Sequence, residues 1–348
     1  MASSLNNSAW VEWMATLMGG ASRHSYAATF PPDRFYCVLD ELPLHLIPRR
    51  AVEAVRFEGK FDQPLFVNPD CIVCQAGDLP EELTYLQDDL SGFAWQGSIA
   101  WVRDAASGRL MPFWLGPRLE SVVRGLRPSA PVPQTLEASA RRRLTKAGIL
   151  ISPDHKEGRN LERQRVFEKS ATAFQRRGYA PVADLIHPFH IAALRRYYRY
   201  LIRMGAIKLG DGQSPRRYVA YNEPVARFFH RSITAKVSAL AGQALKPSYV
   251  YLASYLSGAE LKKHTDREQC EFSITLCLDF SPEPALETPW PIRLETPSGT
   301  TVVHQALGDA LAYRGTRLPH YRDALAKGQT STSIFFHYVS DDFAGSLG

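Results

Sequence analysis

The chain has little of what a membrane-bound or secreted protein carries. No segment approaches the roughly 20 consecutive apolar residues of a membrane-spanning helix. The apolar patch at residues 10–20 is interrupted by Glu12, and no basic segment precedes it. A signal peptide begins with such a basic segment, so we expect none here. These absences favour a cytoplasmic protein that makes no membrane contact.

Cysteine is also scarce, with five residues in 348: Cys37, Cys71, Cys74, Cys270 and Cys277. An odd number without a regular framework argues against a secreted, disulfide-rich domain. Cys71 and Cys74 form a lone CxxC, and no second CxxC or HxxxH pair completes the four ligands of a structural zinc. We therefore expect Cys71 and Cys74 in a buried or edge-strand position, and Cys270 and Cys277 in the core.

Neither charge nor composition is extreme. The chain is 45% hydrophobic and 22% charged, which is ordinary for a globular protein, and its length favours two domains. Its net charge of +6 would suit an anionic co-substrate or a nucleic acid. Many enzymes without such a partner have a similar charge, so the charge by itself selects no function.

Shifts in composition divide the chain into unequal segments. Residues 152–163 are polar and poor in apolar side chains, which predicts a linker there. We predict an N-terminal segment, an accessory α+β domain, this linker, a larger second domain and a tail, at residues 1–30, 31–151, 152–163, 164–340 and 341–348.

The accessory domain ends in a helical pattern. Residues 119–126 and 135–147 are helix-like, Gly148 is a plausible C-cap, and residues 149–151 are apolar. Two short helices before a strand predict a smaller α+β domain that resembles a winged helix. The arginines at 141–143 could contact phosphates, but we favour the interpretation that they form a solvated helix face.

The second domain begins with helices, and one of them is rich in arginine and tyrosine. The segment 190–204 reads as a long helix with four arginines and three tyrosines. Such density can bind nucleic acid. A helix packed on a sheet more often turns its tyrosines to the core and its arginines to water, and we favour this second interpretation.

From residue 249 onward the pattern changes to strands rich in β-branched and aromatic residues. The predicted strands are 249–255, 271–280, 292–295, 301–305, 310–313 and 331–339. Their number suits a jelly roll, with the preceding helices packed as a buttress on one face. The predicted fold class is therefore α+β.

Three residues in this region form a metal-binding pattern. His264 and Asp266 are two positions apart, so in a strand both point to the same side. His320 follows the strand-like run 309–313. Two histidines and one carboxylate can bind one face of an octahedral ion, as in the facial triad of non-haem Fe(II) oxygenases. HxD alone is a common tripeptide, but the ordered context at 255–266 and 308–320 favours a metal site.

These two segments resemble the prolyl-4-hydroxylase-like branch of the Fe(II)/2-oxoglutarate-dependent dioxygenases, over about residues 165–339. The resemblance implies a double-stranded β-helix (jelly-roll) domain in which His264, Asp266 and His320 hold Fe(II). It implies that 2-oxoglutarate chelates the iron and becomes succinate and carbon dioxide, that O2 is the other co-substrate, and that ascorbate assists. Tyr255 matches a tyrosine that lines the 2-oxoglutarate pocket in the family.

The chain departs from the family at the far carboxylate of 2-oxoglutarate. The family places Arg or Lys nine or ten residues after the distal histidine, where this chain has Gln329 and Thr330. A buried carboxylate needs a charged partner. Arg322 is our first candidate because it shares a face with His320 in an extended chain, although a surface ion pair would explain it as well. Thr330 and Thr332 could add hydroxyl donors; weaker candidates for the cation are Arg314, Arg317 and Lys327.

Two further residues are candidates for orienting the metal ligands. Asp309 lies in the Gly-Asp pair before a predicted strand, and Arg267 follows Asp266 directly. Groups that hold metal ligands in place are a regular part of such sites. Both Asp309 and Arg267 could equally be turn or surface residues. Related halogenases lack the carboxylate ligand, so Asp266 disfavours halogenation.

The function that these observations favour is hydroxylation of an unactivated C–H bond. The resemblance implies an amino-acid side chain as substrate, free or within a peptide or protein, and natural-product tailoring fits it too. A nucleic-acid-directed oxygenase or binding module is an alternative, disfavoured because the last strand lacks the paired arginines of nucleic-acid demethylases. A non-catalytic protein of the same fold is a third possibility, disfavoured by the intact triad.

Overall fold

The computed structural model describes residues 25–56, 64–104, 107–127 and 130–348. The predicted N-terminal segment 1–30 therefore lies outside the described residues as far as residue 24. A 3₁₀ turn at Tyr26–Thr29 opens the described chain.

Seven α-helices lie in the described part of the chain: α1 Arg49–Arg56, α2 Pro117–Gly125, α3 Ala138–Lys146, α4 Pro153–Arg177, α5 Pro188–Arg203, α6 Pro224–Ser232 and α7 Thr234–Ala241. Four of them, α2, α4, α5 and α6, have a proline in their first turn. Proline suits that position because the first helical N–H has no partner within the helix. Helix α7 follows α6 almost directly. No helix in the described ranges is long and apolar enough to cross a membrane.

The strands are short in the first half of the chain and longer in the second. They are β1 Phe66–Val67, β2 Cys71–Cys74, β3 Ile99–Arg103, β4 Leu110–Trp114, β5 Leu150–Ile151, β6 Tyr179–Val182, β7 Lys208–Leu209, β8 Arg217–Tyr221, β9 Leu245–Tyr255, β10 Leu261–His264, β11 Phe272–Ser281, β12 Ile292–Thr296, β13 Gly299–Val303, β14 Ala310–Tyr313, β15 His320–Arg322 and β16 Thr330–Ser340.

Two antiparallel sheets form the second half of the protein. The larger has seven strands in the order β6-β14-β11-β16-β9-β8-β7, and the smaller has four in the order β10-β15-β12-β13. From β9 to β16 the chain passes back and forth between the two sheets. Eight strands divided in this way suit the jelly roll predicted from the sequence. The prediction of an α+β protein with antiparallel strands and packed helices is confirmed.

The two faces of the large sheet have different partners, because successive side chains of a strand point to opposite faces. Leu252, Ile274 and Phe336 lie on the outer face and belong to the hydrophobic cluster that includes the helices. Tyr255 and Cys277 lie on the inner face and belong to a separate cluster. The inner face is the one that turns towards the small sheet, where the histidines lie.

The first half of the described chain packs on the second rather than standing apart from it. Strands β2, β3 and β4 form a three-stranded sheet, with Cys71 and Cys74 on its edge strand β2 as expected. One hydrophobic cluster runs from Phe30 in the first half to Tyr338 in the last strand. The winged-helix likeness of this part stays a prediction.

The segment predicted as a linker is helical. Residues 153–163 form the first part of α4, a helix of 25 residues that begins at Pro153. The segment is poor in apolar residues, which is the feature that predicts a linker. Its residues Lys156, Glu157, Arg159, Glu162 and Arg163 are good helix formers, so the same composition also allows a helix.

The arginine- and tyrosine-rich segment forms α5, and its arginines do not all face water. Tyr197 and Tyr198 are buried, as expected for residues that cover the core. Arg195 is fully buried as well, with ion pairs to Asp279 at 3.0 Å and to Glu283 at 2.8 Å. These contacts give the arginine a structural role, so its presence is no sign of a nucleic-acid surface.

The Arg195 network generates a prediction about stability. Asp279→Ala should lower the free energy of unfolding by about 3–5 kcal/mol, because it leaves a buried guanidinium short of a partner. Urea denaturation would measure the change. The matched control is Glu82→Ala, which breaks an ion pair with the 39%-exposed Arg103 side chain and should cost less than about 1 kcal/mol. Equal effects of the two changes would contradict a structural role for the buried network.

Candidate metal centre

The two histidines meet because β10 and β15 are neighbours in the small sheet. His264 ends β10 and His320 begins β15, and the two are paired in register across the strands. Their ring centroids are 4.4 Å apart. Sheet pairing alone thus brings together two imidazoles that are remote in sequence.

Asp266 joins them from just beyond the strand. Because β10 ends at His264, Asp266 lies in the following loop and not in the strand that we predicted to carry both residues. Its backbone N–H donates to the carbonyl of Gly315 at 2.9 Å, which holds the loop against the chain after β14. Asp266 Oδ1 lies 3.6 Å from His264 Nε2 and 3.5 Å from His320 Nε2.

Backbone carbonyls fix the orientation of both rings. His264 Nδ1 lies 2.7 Å from the carbonyl of Lys262, and His320 Nδ1 lies 3.0 Å from that of Leu318. A carbonyl only accepts, so Nδ1 carries a proton in each ring, and in the neutral form of the ring Nε2 keeps its lone pair for a ligand bond. Histidines that bind metal regularly use their second nitrogen in this way.

The surroundings keep Asp266 ionised and His320 neutral. Burial opposes the charge of Asp266, but the hydrogen bond with His264 and the nearby charges outweigh it and lower the pKa of the carboxyl to about 2. The hydrogen bond with the same carboxylate raises the pKa of His264. Burial lowers the pKa of His320, which favours the neutral imidazole that a metal requires.

These three side chains fit a divalent transition metal. One nitrogen or oxygen from each of His264, Asp266 and His320 lies within 4.8 Å of the others. The His320 side chain is 3% exposed and that of His264 is 30% exposed, so the group is closed on one side and open on the other. Two imidazoles and a carboxylate with open positions are the donor set that suits non-haem Fe(II).

A second group of potential ligands shares Asp266 and is less suited to a metal. Asp266, Cys270 and His337 also lie within 4.8 Å of one another. Burial raises the pKa of the Cys270 thiol to about 12, and the thiol lies 2.9 Å from the hydroxyl of Tyr249. A thiol binds metal as its thiolate, so Cys270 stays a weak ligand.

Arg322 lies inside the protein on the same side of β15 as His320, as predicted. It donates to the carbonyl of Trp290 at 2.6 Å and to Gln305 Oε1 at 3.2 Å, and its guanidinium lies 4.7 Å from the centre of the Trp290 ring. Burial lowers its pKa, and no carboxylate of the described chain acts on it. A buried guanidinium with only neutral partners is a ready site for an anion.

Tyr255 also faces the interior and is 1% exposed, and its place in a 2-oxoglutarate pocket stays a prediction. Its hydroxyl accepts a hydrogen bond from Arg217 Nη1 at 3.2 Å. The sequence reasoning missed Arg217, because β8 was not among the predicted strands. Arg217 is buried but already bound to the Asp211 carboxylate at 3.0 Å, which leaves it less available to an anion than Arg322.

The prediction that Thr330 and Thr332 supply hydroxyl donors inside the protein is wrong, because both lie on the outer face of the large sheet. Thr332 pairs with Ser254 and Asp279, and its hydroxyl lies 2.8 Å from that of Ser254. Asp279 binds the arginines of α5, so this row of side chains lies on the outer face. Thr330, two positions earlier, shares that face.

The residues between them point inwards. Ser331 pairs with Tyr255, and Ser333 pairs with Cys277 and Ala253. All three partners belong to the inner cluster. The hydroxyl donors of β16 inside the protein are therefore serines, and a shift of one residue moves every side chain of a strand to the opposite face.

The two residues predicted to orient the metal ligands differ in outcome. The Asp309 carboxylate accepts from Arg50 at 2.8 Å and from the backbone of Ala306 at 3.3 Å, so it is a turn residue away from the histidines. Arg267 Nε donates to the hydroxyl of Tyr249 at 3.2 Å, and its guanidinium stacks on that ring. It contacts no ligand of the triad directly.

Other residues contact the ligands without having been predicted to do so. Ser273 Oγ donates to Asp266 Oδ2 at 2.7 Å, and the hydroxyl of Tyr313 lies 3.5 Å from His320 Nε2. Ser273 and Tyr313 face each other in register across β11 and β14. The alternation of β11 could have placed Ser273 on one face with Thr275 and Cys277, but not shown which face it was.

No protein-family model matches this chain, and no curated protein matches it in sequence. Solved structures do match it, at low sequence identity. A prolyl-4-hydroxylase from Pseudomonas putida is 14% identical, with a TM-score of 0.40 over 49% of this chain and 98% of that one.

Two further structures show a similar extent of likeness. A prolyl hydroxylase from Trichoplax adhaerens, in complex with a hypoxia-inducible-factor peptide fragment, is 12% identical with a TM-score of 0.43, over 52% of this chain and 92% of that one. The α-ketoglutarate-dependent epimerase SnoN from nogalamycin biosynthesis is 15% identical with a TM-score of 0.41, over 51% and 83%. SnoN has also been solved with Fe3+ and α-ketoglutarate.

Gly315 generates a prediction about the metal centre. A Cβ at this position would meet Asp266 Oδ2 and the Cys270 carbonyl, and would lie 2.6 Å from Ser273 Oγ, closer than Cβ atoms approach other groups. Gly315→Ala should therefore displace the carboxylate and weaken Co(II) binding roughly 10–100-fold, the usual effect of disturbing the support of a metal ligand. Visible absorption of the bound Co(II) would measure the affinity.

The matched control is Gly125→Ala, at the end of α2, where a Cβ meets nothing within 4 Å. This variant should bind Co(II) like the wild-type protein. Unchanged Co(II) affinity in Gly315→Ala would show that Asp266 does not need the space that this glycine leaves.

Proposed function

We propose that this protein is an Fe(II)- and 2-oxoglutarate-dependent oxygenase that hydroxylates an unactivated C–H bond. The observation that carries the proposal is the convergence of His264, Asp266 and His320, whose ligand atoms lie within 4.8 Å of one another. Both Nδ1 atoms are engaged by carbonyls, which leaves both Nε2 atoms for the ion.

Each ligand has a distinct task in this proposal. His264 and His320 supply neutral nitrogen donors, and the Asp266 carboxylate offsets part of the charge of the ion. Bound Fe(II), with 2-oxoglutarate and O2, supplies the oxidising power for C–H cleavage. The buried His320 closes one side of the centre, while the partly exposed His264 marks the side from which substrate can approach.

We propose Arg322 as the residue that binds the distal carboxylate of 2-oxoglutarate. Its guanidinium is buried beside Trp290 and Gln305, and its charge lacks a partner among the described carboxylates. Burial lowers the pKa of Arg322, and the neighbouring Cys277, Tyr255 and Tyr313 partly offset this effect. Tyr313 also lies beside His320, so the same tyrosine neighbours both a proposed metal ligand and Arg322.

The proposed substrate is an amino-acid side chain, free or within a peptide or protein. Its support is the sequence resemblance to the prolyl-4-hydroxylase-like branch, and natural-product tailoring fits the same chemistry. A nucleic acid is disfavoured, because Arg195 is buried and Arg199 is bound to Asp279. We further propose that residues 164–340 form the catalytic part, with residues 31–151 as an accessory to it.

The triad can be tested without a known substrate, through slow succinate formation from 2-oxoglutarate alone. His264→Ala, Asp266→Ala and His320→Ala should each abolish Fe(II)-dependent succinate formation, because two ligands hold the ion far more weakly than three. The matched control is His304→Ala, a histidine bound to the carbonyl of Thr288, which should keep the activity. Wild-type succinate formation in any triad variant would refute the assignment.

Arg322 can be tested separately from the metal. Arg322→Met should raise the KM for 2-oxoglutarate roughly 10–100-fold, since a hydrogen bond to a charged group contributes about 1.5–3 kcal/mol. The Fe(II) requirement should stay near that of the wild-type protein. Arg293→Met is the matched control, because Arg293 lies on the same sheet and pairs with the exposed Asp323. An unchanged KM in Arg322→Met would exclude Arg322 from the co-substrate site.

A further inference from the structure

The second oxygen of Asp266 is held by a hydrogen-bond chain that the proposed reaction does not itself require. Asp266 Oδ1 faces the two histidines, and Oδ2 accepts from Ser273 Oγ at 2.7 Å. Ser273 Oγ in turn lies 3.0 Å from His337 Nδ1. The chain links the loop after β10 to β11 and then to β16.

The direction of these hydrogen bonds follows from counting protons. Ser273 Oγ donates its single hydroxyl proton to Asp266 Oδ2, which lies 2.7 Å away. Ser273 Oγ then has lone pairs left, and the contact with His337 requires a proton on Nδ1 of the imidazole. His337 therefore donates to Ser273 and strengthens Ser273 as a donor to Asp266.

Sheet register and packing hold His337 in this position. Ser273 and His337 are direct partners across β11 and β16. The His337 ring packs against Tyr249 at 4.6 Å between centroids, and the backbone carbonyl of His337 accepts from His230 Nε2 at 2.8 Å. Arg267 binds the Tyr249 hydroxyl, so this exposed arginine contacts the ring that packs against His337.

We propose that His337 is a positioning residue of the metal centre, which fixes the Asp266 carboxylate through Ser273. This inference depends on the proposed metal site but adds a residue far from it in sequence. Without the Nδ1–H donor, Ser273 can turn its proton elsewhere and Asp266 can rotate. Oδ1 would then leave the position between the two Nε2 atoms, and the protein would bind a divalent ion more weakly.

The test is the affinity of the metal-free protein for Co(II), measured by visible absorption, with no turnover needed. Ser273→Ala and His337→Phe should each raise the dissociation constant roughly 10–100-fold. His337→Asn, which offers an amide N–H near the Nδ1 position, should recover most of the affinity. The double variant Ser273→Ala/His337→Phe should be no worse than Ser273→Ala alone, because His337 acts only through Ser273.

The matched control is His190→Phe. His190 is also fully buried, but it bonds to the carbonyl of Pro112, away from the metal centre. This change should lower stability without altering Co(II) affinity. Near-UV circular dichroism would establish that each variant is folded before its affinity is compared.

The outcomes separate this inference from the proposed function. If the wild-type protein does not bind Co(II), the metal site itself is refuted. If the wild type binds and folded His337→Phe binds equally well, or its effect adds to that of Ser273→Ala, only the positioning role is overturned. Should His337→Phe fail to fold, Ser273→Ala removes a single oxygen, and unchanged affinity in that variant overturns the inference as well.

Discussion

The negative charge of Asp266 is the constraint on which the interior of this protein depends. The carboxylate is largely buried, and an uncompensated buried charge is costly. Its Oδ1 faces the Nε2 atoms of the two imidazoles, where protons or a metal ion can offset the charge, and its Oδ2 accepts a hydrogen bond from Ser273 Oγ. Gly315 leaves the space that the carboxylate occupies and accepts its backbone hydrogen bond. Strands of both sheets and the loops between them must all be in place for this to hold.

Sheet register is the means by which those segments meet. Across three adjacent strands, His337, Ser273 and Tyr313 form one row on the inner face. Ser273 contacts the carboxylate ligand, and Tyr313 lies beside the His320 ligand. A single row of a rigid sheet thus touches two of the three proposed metal ligands. Side chains carried by a sheet are held more firmly than side chains on a loop, which suits a centre that must hold an ion in one geometry.

Two buried arginines differ in the partners of their guanidinium groups, and this difference indicates different roles. Arg195 has two carboxylates and a backbone carbonyl around its guanidinium, which completes its hydrogen bonding within the protein. Arg322 has a carbonyl, an amide oxygen and an indole face, all neutral. The first arginine holds α5 on the sheet. The second keeps a charge for which the described chain supplies no counterion, and this difference supports its role in binding an anion.

The sequence by itself predicted His264, Asp266 and His320 as metal ligands, and it determined the α+β class and the shared face of His320 and Arg322. Each depends on local spacing, since period two along a strand relates neighbours in the chain. Tertiary structure alone decided which face of β16 points inwards. The hydroxyl groups that face the interior are therefore those of Ser331 and Ser333, not those of Thr330 and Thr332. Tertiary structure also decided that Asp309 serves a turn and that residues 153–163 are helical. The contact between Ser273 and His337, 64 residues apart, depends on strand pairing, which no local pattern encodes.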